Sequence, residues 1–296
     1  MSTTRKILWG IFGFYVLGLL LLILIFGIET HTNNEFQPQN EFKLINWVHL
    51  GVFSINRAVV YLFLAAILTI FTMVYIARRM HDRPNRIQTG VEVLFSLMRD
   101  NITRGNMSDR MAAKWFPYIG ALFLFIWYCN LIGYLPLPTN SEEKVNIFGV
   151  HIPSFALYSA TANVSVPLVL ALVTFIAFNL EGIRAHGPIG YLKSLVPAGV
   201  SGPIVYLIFP LEVISLFFRL ISLTVRLFAN ILAGHLIILF MAGGLAVILG
   251  ASWLGWFTLP FGILVYMFEL GLVATLQAFI FATLSAIYLG SAVAQH

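Results

Sequence analysis

Charged residues are scarce in this chain, and so are cysteines. Only 10% of the 296 residues are Asp, Glu, Lys or Arg, whereas a soluble domain carries about 25%. The hydrophobic share is 59%, and each membrane span needs about 20 mostly apolar residues in a row. The composition therefore excludes an ordinary soluble protein and predicts an integral membrane protein with five to six spanning helices. A single cysteine, Cys129, excludes an internal disulfide.

Motifs of common enzyme classes and of metal sites are also missing. The sequence has no Gly-rich phosphate-binding loop and no pairing of a nucleophile with a base. Its seven histidines are scattered without the spacing of metal ligands. We therefore predict no catalytic residue, metal, cofactor or bound nucleotide. The formal charge of +5 is spread over short loops between apolar runs, where it sets membrane orientation and does not indicate nucleic-acid binding.

The apolar runs predict an all-α membrane protein. We interpret as spans the runs at about 7–28, 58–77, 116–135 and 164–180 and two longer stretches at 205–249 and 259–293. At a rise of about 1.5 Å per residue, a helix over residues 205–249 would be about twice as long as the hydrocarbon core is thick. Residues 205–293 therefore predict a C-terminal hairpin of two long, strongly tilted helices. The turn between them is marked by Gly250, Gly255 and Pro260.

Positive charge predicts the orientation of the chain. Twelve of the 17 Lys and Arg lie in the N-terminus, the segment 78–114 and the loop 184–203. We expect these regions and the C-terminus to be cytoplasmic, because Lys and Arg concentrate on that side of a membrane. Apolar residues at helical spacing within 81–114 predict an amphipathic helix on the cytoplasmic surface. We divide the chain into an uncleaved N-terminal anchor with a polar external segment, 1–50, and one membrane domain, 51–296.

One arginine lies in the first long C-terminal stretch, within Ser222-Leu-Thr-Val-Arg226-Leu-Phe-Ala-Asn230. An ionised guanidinium at bilayer depth costs from about 2.5 to more than 10 kcal/mol. Arginine cannot avoid that cost by losing its proton, since its pKa lies above about 12. Such a residue indicates ion or proton handling. The alternatives are a secondary transporter or channel that works alone and a structural membrane anchor.

The motifs around Arg226 resemble those of the subunit a family of F-type ATP synthases. The matching segments are Asn130-Leu-Ile-Gly-Tyr-Leu-Pro136, Gly190-Tyr-Leu-Lys-Ser-Leu-Val-Pro197, Glu212-Val-Ile-Ser215, Arg219, 222–235 and Leu276-Gln277-Ala-Phe-Ile-Phe. The resemblance covers residues 80–293. It implies a non-catalytic stator subunit of the Fo sector, with two offset half-channels that carry protons to and from the carboxylates of a c-subunit ring. Proton flow through them drives ring rotation and ATP synthesis.

The resemblance also implies the surroundings of the chain. Its partners would be the c ring, the b subunits of the peripheral stalk and other Fo and F1 subunits. The transported ion would be H⁺, with Na⁺ as the alternative. The chain lacks an Arg- and Ser-rich, acid-free presequence, which favours the inner membrane of a bacterium over an organelle.

The resemblance assigns roles to polar residues of the last two stretches. Arg226 would be the essential arginine, with Asn230 one turn later and Gln277 in the final helix. His235 and Glu269 would form an ionisable pair that relays protons, although a structurally hydrogen-bonded His235 is the alternative. This ionisable group usually precedes the glutamine of the family by seven residues, whereas Glu269 precedes Gln277 by eight. The extra residue turns Glu269 by about 100° unless a bulge absorbs it.

Further polar residues are candidates for lining the half-channels. Those of the exit half-channel are Glu212, Ser215, Arg219 and Ser222. Those of the inlet half-channel are Asn130, Thr161, Asn163 and Ser165. Each set has an alternative explanation. In the exit set, Glu212 and Arg219 are spaced so that they could pair with each other. In the inlet set, small polar residues could instead hold membrane helices together. Some relatives carry an acid shortly after Asn130, where this chain has Gly133.

Overall fold

Helices form most of the computed structural model, which describes residues 3–26, 46–50, 53–78, 85–147, 150–196, 202–244, 246 and 252–294. Their bounds are α1 Thr3–Phe26, α2 Arg57–Arg78, α3 Arg86–Ser96, α4 Asp109–Gly133, α5 Ser165–His186, α6 Pro188–Ser194, α7 Val205–Leu239, α8 Ser252–Phe268 and α9 Ala274–Val293. The prediction of an all-α membrane fold is confirmed.

Five helical stretches of the described chain are long and apolar enough to cross a membrane. They are Arg57–Arg78, Asp109–Gly133, Ser165–His186, Val205–Leu239 and Thr258–Val293. The last two are the longest, with 35 and 36 residues, as expected for two long C-terminal helices. The tilt of these helices stays a prediction.

The turn residues proposed for the C-terminal hairpin are partly wrong. Gly255 and Pro260 lie inside α8, while Gly250 lies outside the described residues. Proline is tolerated inside a membrane helix because neighbouring groups and small local adjustments satisfy the backbone groups that lose their partners.

Three segments of the described chain have π-helical geometry. Leu97–Arg104 follows α3, Phe240–Gly244 follows α7, and Glu269–Val273, here called the π turn, joins α8 to α9. In such a turn the hydrogen bonds span five residues, so a helix takes up an additional residue there. The π turn begins at Glu269 and ends before Gln277, in the interval that is one residue longer than the family's usual spacing. A π turn that can absorb one additional residue is therefore present in this interval.

Two antiparallel hairpins lie between the helices, and the sequence analysis did not foresee them. β1 (Asn46–Leu50) pairs with β2 (Phe53–Asn56), and β3 (Leu137–Ile147) pairs with β4 (Val150–Ala156). Pairing satisfies backbone groups that no helix satisfies in these stretches. A signal was present in the second hairpin, because β-branched residues alternate with others over 145–147 and 150–152.

The chain divides into two compact units, the first made of 1–43 and 233–271 and the second of 44–232 and 272–296. In the first unit α1 packs against α8. The Tyr15 hydroxyl donates a hydrogen bond to the Trp256 carbonyl at 2.6 Å, and the two rings stack with centroids 6.4 Å apart. The sequence-based division at residue 50 stays a prediction.

The second unit is built around α4, against which both α2 and α9 pack, while α5 packs against α9. Its core includes Ala58, Tyr61 and Ala65 of α2 with Cys129 and Ile132 of α4. Cys129 is fully buried, so it serves as a small packing residue.

Gly133, near the end of α4, allows a close approach of the loop before α5. A Cβ at this position would lie 2.5 Å from the Cβ of Ser159. An acid has no room here, which gives the physical reason why this chain carries glycine at 133.

A buried carboxylate joins α4 and α5 in the second unit. The Glu181 side chain of α5 is only 7% exposed and forms an ion pair with Lys114 of α4. Its second oxygen lies 3.7 Å from Arg184 Nη1. The start of α4 and the end of α5 therefore lie at the same end of the second unit.

Candidate functional site

A line of polar residues occupies one exposed face of α7. Ser222, Arg226 and Asn230 are all exposed, whereas Leu223 and Leu227 beside them are 3% and 1% exposed. Steps of four residues repeat on one helix face, so the three polar side chains share a surface. The Arg226 side chain makes no ion pair or hydrogen bond with any residue that the structure describes. Its charge is therefore available to a group from another molecule.

Gln277 lies on the buried face of α9, whereas Arg226 lies on an exposed face of α7. It is 5% exposed and belongs to the same buried face as Ala274, Ala278 and Phe281. Within the described residues no hydrogen bond joins Gln277 to Arg226. Support of the guanidinium by this amide stays a prediction.

Glu269 and His235 are both buried in the first unit, at 8% and 3% exposure. The Glu269 carboxylate lies directly against Gly234, and a Cβ at that position would overlap both of its oxygens. His235 is the next residue along the chain. Glycine at 234 thus provides the space that the carboxylate occupies, and it brings the acid beside the backbone that carries the imidazole.

A cavity of about 240 Å³ lies among α5, α6, α7 and α9 in the second unit. Its polar lining consists of Tyr191, Ser194, Glu212, Arg219 and Ser291. Two of the four residues considered for the exit half-channel, Glu212 and Arg219, therefore border one cavity.

The other two exit candidates lie elsewhere on α7. Ser215 is half-buried and Ser222 is exposed, and neither is among the residues that line the cavity.

Arg219 is held by aromatic contact. Its guanidinium lies over the Tyr288 ring, 5.4 Å from the centroid, a geometry that attracts a cation to the ring face. Among the described residues no ion pair joins Arg219 to Glu212. The two side chains therefore do not form the direct pair that their spacing allows.

Tyr191 is the phenolic hydrogen-bonding group of the same cavity. Its hydroxyl donates to Asn179 Oδ1 at 2.8 Å. Burial raises the pKa of Tyr191, and the nearby charge of Arg219 acts in the opposite direction. Sequence reasoning missed Tyr191 as a site residue, although it lies in the 190–197 motif that carried part of the resemblance. Ser291 had no comparable signal.

The four inlet candidates separate into a buried pair and a pair near the surface. Asn130 and Thr161 are fully buried, and the Thr161 hydroxyl donates to Asn130 Oδ1 at 2.8 Å. Asn163 is half-buried and Ser165 is exposed. The Ser165 backbone N–H donates to Asn163 Oδ1 at 3.0 Å at the start of α5.

Comparison with known proteins settles the family. A family model described as "ATP synthase A chain" matches residues 59–290, most of the chain. The chain belongs to this family. The match includes α2 to α9 almost completely and every polar residue named for the candidate site except Ser291. It does not include α1 or the β1–β2 hairpin.

Individual members of the ATP synthase A chain family are similar over most of the chain. An ATP synthase subunit a of Rubrobacter xylanophilus is 38% identical over 250 residues, which cover 82% of this chain and 88% of that protein. One of Paramagnetospirillum magneticum is 33% identical over 270 residues, covering 88% and 99%. One of Anaeromyxobacter dehalogenans strain 2CP-C is 34% identical over 244 residues, covering 81% of this chain but 58% of that relative.

Membership in the ATP synthase A chain family fixes the general role. The chain is a non-catalytic, proton-transporting stator subunit of the Fo sector. It is a multi-pass membrane protein, and the relatives named above are bacterial.

Proposed function

We propose that Arg226 is the fixed charge past which the carboxylates of a c-subunit ring move, one proton at a time. The observation that carries this proposal is an exposed guanidinium, without a partner among the described residues, on a helix long enough to span a membrane. An arginine in that setting is stable only when it faces water or an opposite charge. A ring carboxylate supplies such a charge.

The chemistry follows from the two environments that a ring carboxylate visits. Facing lipid, it must be protonated, because an unpaired anion in hydrocarbon is too costly. Beside Arg226 the anion is favoured, since a cation at close range lowers the pKa of a carboxyl group. Passage by Arg226 therefore releases a proton on one side, and a new proton must bind before the carboxylate returns to lipid.

Arg226 also keeps the two half-channels apart, because its charge repels protons that would pass directly between them. Each charge crossing 100 mV carries about 2.3 kcal/mol, which a leak would dissipate. Asn230 lies on the same exposed face one turn later. We assign to Asn230 and Gln277 the positioning of the guanidinium by hydrogen bonds that leave its charge intact.

The exit half-channel is assigned to the cavity that Glu212 and Arg219 line. An acid, a base, a phenol and two hydroxyls around about 240 Å³ give ordered water several partners. Ser215 and Ser222 extend this path along α7 toward Arg226. Glu212 is the residue that accepts and passes on protons there.

His235 and Glu269, in the first unit, are assigned to the inlet half-channel as its proton relay. Asn163 and Ser165, at the start of α5 in the second unit, are assigned to the inlet half-channel as further polar residues. A buried imidazole and a buried carboxylate exchange protons readily near neutral pH. The Glu269 carboxylate beside Gly234 supports a relay that passes from one to the other. Asn130 and Thr161, which are fully buried and hydrogen-bonded to each other, are assigned to helix packing within the second unit and not to a water path.

The chain is assigned to a bacterial inner membrane, with both termini cytoplasmic. Lys114 and Arg184 contact the same carboxylate, which supports placing the 78–114 and 184–203 regions on one side. The partners are the c ring, the b subunits of the peripheral stalk and the other Fo and F1 subunits. The transported ion is H⁺.

The test is ATP-driven proton pumping and passive proton leak in inverted vesicles that contain the whole complex. Arg226→Ala is expected to abolish pumping and raise the leak. Arg86→Ala, an exposed arginine of α3, is the matched control and should pump normally. Normal pumping by Arg226→Ala in an assembled complex would overturn the proposal. Ion transport by the purified chain in liposomes without a c ring would instead favour a self-contained transporter.

A further inference from the structure

Two side chains of α4 hold the first two residues of α9. The Asn130 amide donates a hydrogen bond to the Ala274 carbonyl at 3.2 Å. The Trp127 indole N–H donates to the Thr275 hydroxyl at 3.0 Å. Trp127 and Asn130 are three residues apart, so they share one face of α4. We call these two hydrogen bonds the α4–α9 contact.

The α4–α9 contact lies directly after the π turn. The π turn ends at Val273, and Ala274 is the first residue of α9. π-Helical geometry is rare and occurs mainly as single turns inside α-helices. The same residues would form a regular α-helix if α9 were turned about its own axis by the angle of one residue. Some contact must therefore hold α9 in its observed rotational position. Two hydrogen bonds from a neighbouring helix at the end of the turn can do so.

Asn130 is itself held rigidly in the orientation that this contact needs. It is fully buried, and its Oδ1 accepts from Thr161, whose hydroxyl is 2.7 Å from that of Ser159. The amide oxygen is thus occupied on one side, which leaves the NH₂ group directed at Ala274. Ser159 reaches this position because Gly133 has no Cβ. A buried polar network of this kind specifies one arrangement when its members are satisfied.

We propose that Asn130 is a positioning residue that fixes the phase of α9, and does not carry protons itself. Through Ala274 it determines which way Gln277, three residues later on the same buried face, is directed. Trp127 assists through Thr275. This inference rests on the proposed function, because the direction of Gln277 matters only if Gln277 serves the arginine.

The first test uses the extra residue of the π turn. Asn130→Leu has nearly the same size but no hydrogen-bonding groups, and Trp127→Phe lacks only the donor and part of the ring. In whole-complex vesicles we expect at least tenfold slower pumping for Asn130→Leu and about threefold slower pumping for Trp127→Phe. When Gly271 is deleted, the segment can form a regular α-helix that does not depend on the α4–α9 contact. In that background each substitution should slow pumping less than twofold. An equal loss in both backgrounds would overturn the proposal.

The second test is independent of whether the deletion is tolerated. A cysteine at 130, introduced into a chain with Cys129→Ala, is expected to react with no water-soluble thiol reagent from either side, because position 130 is sealed. Rapid labelling would mean that Asn130 lines a water path, and would overturn the proposal. Arg226→Ala is measured in the same vesicles. If it pumps, the proposed function fails; if it is inactive while Asn130→Leu pumps normally, only the positioning role fails.

Discussion

The carboxylate of Glu269 rests against Gly234, in the space that a Cβ would take. His235 follows immediately, and the acid and the imidazole are both buried in the first unit. The position of the acid therefore depends on the absence of a side chain at residue 234. This gives a way to displace Glu269 without removing it.

Gly234→Ala is expected to push the carboxylate aside and to slow ATP-driven proton pumping at least fivefold, with the subunit still assembled. A methyl group is a small change for a helix, and alanine favours helix over glycine by about 1 kcal/mol, so folding should not suffer. The control is Gly13→Ala on α1, where nothing lies within 4 Å of the added Cβ. Equal pumping by the two variants would show that the place of Glu269 is unimportant.

Arg226→Lys is expected to be nearly as harmful as Arg226→Ala, although it keeps a basic residue. Lysine lacks the planar fork of donors, and it can lose its proton in an apolar site where arginine cannot. We expect pumping to fall at least tenfold, which corresponds to about 1.4 kcal/mol. Pumping rates of assembled complexes at several pH values check this. Activity near that of the unmodified complex would mean that any cation suffices.

Ser291→Cys is expected to react with a water-soluble thiol reagent, because Ser291 lines the cavity assigned to the exit half-channel. Labelling should be fast in inverted vesicles and slow in right-side-out vesicles. Cys129 provides the internal control, since it is fully buried and should not react. Fast labelling only in right-side-out vesicles would reverse the orientation proposed for the chain.

Glu181→Gln is expected to destabilise the subunit by about 1–3 kcal/mol, because Lys114 loses its hydrogen-bonded anion and Arg184 loses the opposite charge 3.7 Å away. The temperature at which subunit a is lost from the detergent-solubilised complex should fall by several degrees. Asp100→Asn is the matched control, since its ion pair with Arg104 is about half exposed on both sides and should contribute less than about 1 kcal/mol. Similar effects of the two substitutions would argue against a special role for burial.

The spans and their order could be predicted because each requires a long apolar run, a signal that is contained in the local sequence. The predicted span at 58–77 corresponds to α2 at Arg57–Arg78, and the two long C-terminal helices were foreseen from length. The start of α4 was not predicted correctly. It begins at Asp109, seven residues before the apolar run at 116, because the first turns extend beyond the apolar part of the helix.

The finer geometry could not be predicted, because it depends on contacts between distant residues. The eight-residue spacing from Glu269 to Gln277 raised the question of a bulge, but only the structure places a π turn there. The hydrogen bond from Asn130 to Ala274 joins residues 144 positions apart. The cavity depends on Ser291 and Tyr191 meeting Glu212, and no local pattern connects these three.

The exposure of Arg226 also has a consequence before the complex exists. A newly inserted copy presents its guanidinium to lipid, and a membrane responds to such a charge by drawing water and headgroups inward, with local thinning. On the proposed function, docking against a ring carboxylate would remove that disturbance. The residue assigned to proton transfer would thus also mark incomplete assembly, since only an orphan copy would expose this guanidinium to lipid.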